Sequence, residues 1–360
     1  MTFKSIRTEP KTQTKHKIMQ NSIKLTGALF ASVLLAGAAR AEIALVPGLN
    51  ITGYAAGSVG YDRLDFDAGD DADEARMDLD AIRLDALFNY NDTVSAKLSL
   101  YSLAGDGLVV PEAFVSYKTG DLTVTAGRFL TWAGYESFDI PAAGAITSGD
   151  VFGLLPKHHN GVKATWALDN FTVGAALLDS VWGYTYYKGD GDINHGSLGA
   201  ELYAAYDDKT FSFAATIAYE HDHVLMDADA LNINVWGQYY IDSSKTTLGA
   251  EFTYQRSENK LGHGDAFSAL LFARQALGDK WTLAGRVSAG RADADIGSVG
   301  LDDPGFVKLS VIPAVALSEN LEVRAEVSYG AYDNYYDLDG LAPRELKNEV
   351  FAGVQVIFKF

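Results

Sequence analysis

The sequence predicts an all-β fold, a transmembrane antiparallel β-barrel of about sixteen strands, and three observations carry that prediction. From Gly48 onward, runs of about ten residues alternate apolar and polar side chains, with no helix-period segment between them. Tight polar turns alternate with longer, more variable loops, the layout of a barrel with short connections at one rim and long ones at the other. Large aromatic residues (Tyr90, Phe171, Tyr206, Phe211, Tyr239, Trp281, Phe358 and Phe360) sit beside the tight turns, where amphipathic rings meet a membrane interface.

The elements follow in order. Runs near 49–60, 80–90, 93–103, 109–118 and 122–130 form the first five strands, with turns at YNDT (Tyr90 to Thr93) and KTGD (Lys118 to Asp121). Runs near 160–168, 171–182, 197–206, 211–220, 231–241 and 246–256 come next, turning at LDN, DDKT and DSSK. The last runs lie near 266–276, 281–291, 306–317, 321–332 and 348–360, with turns at LGDK and SEN. Asn, Asp, Gly and Ser supply the turn geometry in each case. In LEVRAEVSYG, Leu321, Val323, Ala325, Val327 and Tyr329 share one face, while Glu322, Arg324, Glu326 and Ser328 share the other. Charges in such a row are expensive to bury unpaired, which predicts a watered interior. The final run, NEVFAGVQVIFKF, puts Val350, Ala352, Val354, Val356, Phe358 and Phe360 on one apolar face. A terminus this apolar is expected to be held, here by pairing with the first strand to close the barrel, both termini then lying at the short-turn, periplasmic rim.

Composition excludes other classes. The formal charge of −18 argues against a nucleic-acid partner, and the absence of cysteine argues against a disulfide-stapled domain. No run of about 20 apolar residues is present to span a bilayer as a helix. Residues 1–41 read as a cleaved signal peptide: basic residues precede an apolar segment from Leu25 to Ala39, and Ala39-Arg40-Ala41 gives a small-x-small cleavage pattern. Met19 is a plausible internal start, and residues 42–360 form the single outer-membrane barrel domain.

The signal peptide, the alternating last strand and its final Phe resemble the assembly signal of Gram-negative outer-membrane barrels, with Phe358 and Phe360 as its residues and the barrel-assembly machinery as the implied partner. More narrowly, the segment from Thr125 to Leu168 resembles the β-barrel porin family of Gram-negative outer membranes. The matching elements are Gly127, Arg128 and Phe129 at a strand end, a long loop, and then Gly161, Val162 and Lys163. The resemblance implies a passive diffusion channel for small hydrophilic solutes in the cell outer membrane, surrounded by lipid and lipopolysaccharide, and a possible homotrimer.

The long connection from Leu130 to about His159 is too apolar to float in water, with Trp132, Tyr135, Phe138, Ile140, Val151, Phe152 and Leu154. It is similar in ordinal position to the constricting loop of general porins, so it is expected to enter the lumen and present Glu136, Asp139 and Asp150 to the pore. An outer loop packed on its neighbours, or a subunit contact, is the alternative. Opposite it, Arg83, Lys97, Lys118, Arg286 and Arg324 fall on inward positions, with Glu322 and Glu326 among inward acids that partly neutralise them. Such opposed charges predict a transverse field, and the acidic loops, such as DRLDFDAGDDADEARMDLD, predict a mild preference for cations.

The spaced acids Asp190, Asp192 and Asn194 only weakly match a calcium loop, lacking its glycine and distant glutamate, and His221 with His223 offers two ligands rather than a site. No G-x-S-x-G, P-loop or H-E-x-x-H motif is present. No catalytic residue, metal or cofactor is therefore assigned. A non-conducting structural or surface-binding barrel, or an outer-membrane hydrolase, is the alternative reading.

Overall fold

The computed structural model describes residues 47–360 except 68–70, 104–106, 137–138, 183–196, 209, 223–227, 260–261, 297–298, 302 and 338–343. The expected leader and the Asp190–Asn194 spacing lie outside the described residues, as does His223.

Alternation becomes a single closed sheet. Its first half comprises β1 (Leu49–Phe66), β2 (Ala72–Asn89), β3 (Val94–Leu103), β4 (Gly107–Thr119), β5 (Leu122–Leu130), β6 (His158–Leu168), β7 (Phe171–Leu178) and β8 (Ser197–Asp207). The second half comprises β9 (Phe211–Asp222), β10 (Ala228–Ile241), β11 (Thr246–Asn259), β12 (Gly262–Leu277) and β13 (Trp281–Ile296), then the three-residue β14 (Val299–Leu301), β15 (Gly305–Ala316), β16 (Leu321–Asp337) and β17 (Arg344–Lys359). Each strand pairs antiparallel with the next; β14 is an appendage on the end of β13, which pairs onward with β15, leaving sixteen staves. The barrel closes between β1 and β17, from Tyr54 opposite Lys359 to Phe66 opposite Leu346. Closure leaves no sheet edge, which a strand structure in lipid requires.

The faces follow the period of two. Val59, Leu84, Val115, Leu248, Val311 and Val354 point outward and are exposed, whereas Arg83, Ser99, Glu201, Asn234, Arg286 and Gln355 point inward and are buried. At the seam the backbone of Phe360 exchanges hydrogen bonds of 2.9 and 3.0 Å with Gly53. Gly53 is small for a reason: a Cβ there would stand 2.7 Å from the Phe360 ring.

The turns sit where the sequence predicts them, on the same rim as Leu49 and Phe360. Asn91 Oδ1 accepts the N–H groups of Thr93 and Val94 at 2.9 and 2.8 Å, and Asp208 Oδ1 accepts those of Thr210 and Phe211 at 2.6 and 2.7 Å. Rings cluster beside them, Phe171 lying 4.8 Å from Tyr206 and Tyr206 6.3 Å from Phe211. The opposite rim departs from expectation. The acidic stretch read as an outer loop is largely a projecting hairpin, because β1 continues to Phe66 and β2 starts at Ala72, with Tyr61 opposite Ala75 and Arg63 opposite Asp73. Polar residues on both of its faces mimic a loop in the sequence, yet the backbone ladder holds it above the membrane. Outward tyrosines mark that rim: Tyr61 donates to Asp73, Tyr219 to Asp229, Tyr254 to Asp265 and Tyr329 to Asn348.

Candidate functional site: a loop stapled inside the barrel

The described residues of the 131–157 connection, between β5 and β6, turn into the lumen, and their composition gives the reason. Trp132 stacks on Tyr203 of β8 at 5.1 Å, and Tyr135 stacks on Phe272 of β12 at 4.2 Å with Trp236 of β10 edge-on at 5.5 Å. Ile140 packs on a buried cluster of Tyr54, Ala56, Ala81, Tyr101 and Ile357. Val151 and Phe152 pack on Phe66, Phe306, Tyr332 and Leu346. Between these contacts lies one short helix, α1 (Ile140–Ala143), which has Pro141 in its first turn and ends on Gly144 at φ 75°. A side chain at Gly144 would strike the guanidinium of Arg274 from β12.

A loop carried indoors brings backbone N–H groups that need acceptors. Wall carboxylates and amides supply them. Glu201 accepts Thr131 Oγ1 at 2.7 Å and the N–H of Trp132 at 3.3 Å. Asn234 Oδ1 accepts the N–H of Gly134 at 2.9 Å, and Glu251 that of Tyr135 at 2.8 Å. Glu326 accepts the N–H groups of Ile146 and Thr147 at 2.7 and 2.9 Å and the Thr147 hydroxyl at 2.6 Å. Glu220 does the same for the following loop, taking the Ser180 hydroxyl at 3.0 Å and the Val181 N–H at 2.6 Å. The inner glutamates are staples.

The arginines complete the clamp. Arg286 pairs with Glu136 of the loop and with Glu326 at 3.1 Å, and it donates to the Thr147 carbonyl at 2.8 Å. Arg83 pairs with Asp139 of the loop, with Asp85 at 2.9 Å and with Glu112 of β4. Arg324 donates to the carbonyls of Ala145 at 3.1 Å and Ile140 at 2.8 Å and lies 3.4 Å from Glu322. Arg83, Arg286, Arg324 and Glu326 were expected to line water; they are all 5% exposed or less, because the loop meets Arg83 and Arg286 with the carboxylates of Asp139 and Glu136, Arg324 with carbonyls and Glu326 with N–H groups.

The loop acids divide accordingly. Glu136 is held between Arg286 and the N–H of Gly149 at 2.7 Å. Asp150, expected to face the pore, instead turns into its own loop and accepts the N–H of Leu155 at 3.2 Å; burial pushes its carboxyl above the usual range. Asp139 is the loop acid with an open flank, its side chain 33% exposed. Burial raises its carboxyl as the largest effect, while Arg83 and, more weakly, Lys97 pull it back.

The β3–β6 wall carries Lys97, 24% exposed and paired to Glu112, and Lys163, whose ammonium lies 4.4 Å from the Phe129 ring centre and 5.0 Å from that of Trp132. Between them Gly127 leaves the wall bare; its φ of 129° and a backbone carbonyl 2.3 Å from where a Cβ would stand both require glycine. Lys118 is exposed toward the short-turn rim. A cleft of about 320 Å³, open solvent included, lies between the loop and the wall, lined by Tyr135, Gly144, Phe272, Arg274 and Arg286. Glu112 and Lys163 were not singled out as pore residues in the sequence, although inward alternation with Lys118 and Thr165 would have placed them.

Against this geometry, the family model described as "Putative beta-barrel porin-2, OmpL-like" matches residues 86–360. The chain belongs to that family. The porin's barrel resembles the in-vitro folded trimer form of OmpT from Vibrio cholerae, at 15% identity and a TM-score of 0.60, covering 87% of this chain and 99% of that one. It also resembles an anion-selective porin from Comamonas acidovorans, at 16% identity and 0.59, with the same coverages. The outer-membrane channel DcaP of Acinetobacter baumannii matches at 15% identity and 0.59, covering 87% of this chain and 97% of that one. A search of curated proteins finds no match. The porin is thus a closed barrel of the outer membrane with a channel fold.

Proposed function

We propose that this porin is a passive diffusion channel for small hydrophilic solutes, narrowed by residues 131–157 to an aperture between Asp139 on the loop and Lys97 and Lys163 on the wall. The observation that carries this reading is the set of wall staples, Glu201 on β8, Glu251 on β11, Arg286 on β13 and Arg324 and Glu326 on β16, which hold the loop along that arc of the wall. Charges of both signs at a narrow passage favour polar solutes over apolar ones. A mild cation preference follows from the net charge of −18 and from the acidic hairpin of β1 and β2, through local enrichment of counter-ions at the outer mouth.

The short-turn rim, with Phe358 and Phe360 at its seam, is the part presented to the assembly machinery from the periplasm. The tyrosine-marked rim faces lipopolysaccharide. Because one similar solved structure is a trimer form, we assign a homotrimer to this chain as well. Conductance of the refolded barrel in a planar bilayer, under a salt gradient, tests the channel and its ion preference together; a folded barrel that never conducts refutes the first, and an anion-selective reversal potential refutes the second.

A further inference from the structure

The apolar belt is not the same height all round. On most of the wall, outward residues stay apolar or small for about 10 positions above the short turns, as from Ile51 to Tyr61 in β1, Leu231 to Ile241 in β10 and Leu321 to Ala331 in β16, and charged residues such as Arg63, Asp229 and Asp333 come only beyond. With a rise of about 3.3 Å per residue and a tilt of about 40–45°, this gives a belt of about 25 Å, as a bilayer requires.

On β5–β7 the belt breaks early. Arg128 lies six positions above Leu122, Asn160 eight above Leu168, and Asp179 eight above Phe171, all on the outward face shared by Val162 and Leu177. They form one network. Arg128 donates from Nε to Asn160 Oδ1 at 2.8 Å and from Nη1 to the Val110 carbonyl at 3.2 Å, and Asn160 Nδ2 donates to Asp179 at 2.9 Å. By the same rise and tilt, Arg128 stands only about 14 Å above the turns. Charged side chains facing hydrocarbon at that depth are rare because lipid cannot solvate them. No tyrosine–carboxylate pair marks the outer interface here among the described residues, unlike on β1, β9 and β11.

We infer that the outward face of β5–β7, centred on Arg128, Asn160 and Asp179, is covered by a second copy of this chain. The inference rests on the homotrimer assigned above and names the wall that makes it. Val162 and Leu177, exposed around the network, supply the apolar surround of the contact, and the network supplies polar groups that a neighbouring subunit, but not an acyl chain, can match.

The chain has no cysteine, so single nitroxide labels report one position each. Val162→Cys and, on the opposite wall, Leu271→Cys are labelled in the purified full barrel, with Leu177→Cys as a substitute if Val162→Cys does not fold. Mass is measured by light scattering and inter-subunit distance by double electron–electron resonance. A trimer with short distances at position 162 and long ones at 271 is expected. A trimer with long distances at 162 and 177 overturns the assignment of this wall while leaving the trimer intact, whether the network is then met by lipopolysaccharide phosphate or water. A monomer overturns both.

Discussion

Glu326→Gln is the most informative perturbation of the loop clamp. The carboxylate of Glu326 takes three loop donors, the N–H groups of Ile146 and Thr147 and the Thr147 hydroxyl, and also holds Arg286 at 3.1 Å. Hydrogen bonds to a charged group contribute about 1.5–3 kcal/mol each. An amide of the same shape keeps an acceptor oxygen for the two N–H groups, but it sets an NH2 against the Arg286 guanidinium and withdraws the negative charge from every one of these contacts. The net loss is about 3–4 kcal/mol of docking, about 1 kcal/mol for each of the three loop hydrogen bonds that loses its charged acceptor, and the remainder from the lost pair with Arg286. At about 1.4 kcal/mol per tenfold, local opening of the loop rises by roughly two to three orders of magnitude. Hydrogen exchange reads this directly: amides of 145–149 lose protection while the β12–β13 ladder keeps its own. The same variant is expected to show noisier and larger single-channel currents. Unchanged protection at 145–149 in a folded Glu326→Gln barrel would refute the idea that wall carboxylates hold the loop.

Three further outcomes follow from the same geometry. Asp139→Asn removes the exposed acid from the aperture and leaves Lys97 and Lys163, so the reversal potential should move toward anions; no movement would place the selective charges elsewhere. Burial raises the carboxyls of both Asp139 and Asp150, so the docked loop binds protons more tightly than the freed loop. Docking therefore weakens as pH rises through the window just above the ordinary carboxylate range, and current noise should fall on acidification into that window, the reverse result contradicting the sign. Phe360→Ala keeps the backbone bonds to Gly53 but loses the ring that covers it, so the variant should refold in detergent yet reach the outer membrane in smaller amount, measured as the heat-modifiable fraction; equal amounts would deny the ring a part in assembly.

Much of this was legible in the sequence because a period of two leaves little freedom. Once Val323 and Val327 face out, Arg324 and Glu326 face in, and the same count places Arg83, Lys97, Glu201, Glu251 and Arg286. What those residues touch was not legible. Arg83 meets Asp139 across 56 residues and Arg286 meets Glu136 across 150, and no local pattern encodes such pairings. The charges were read as needing water because burial is costly when they are unpaired; the loop supplies partners in its own backbone instead. The β1–β2 hairpin was misread for a related reason, since above the membrane neither face needs to be apolar. In the loop, apolar composition pointed to docking, but the choice between Asp139 as open acid and Asp150 as turn acceptor depends on coordinates, not order along the chain.

The most direct test of a loop-narrowed diffusion channel is single-channel recording of the purified, refolded mature barrel in a planar bilayer under a salt gradient. Stepwise ohmic openings with a small cation-selective reversal potential are predicted. Electrical silence from a barrel shown to be folded would contradict the account, and the stapled loop would then be a plug.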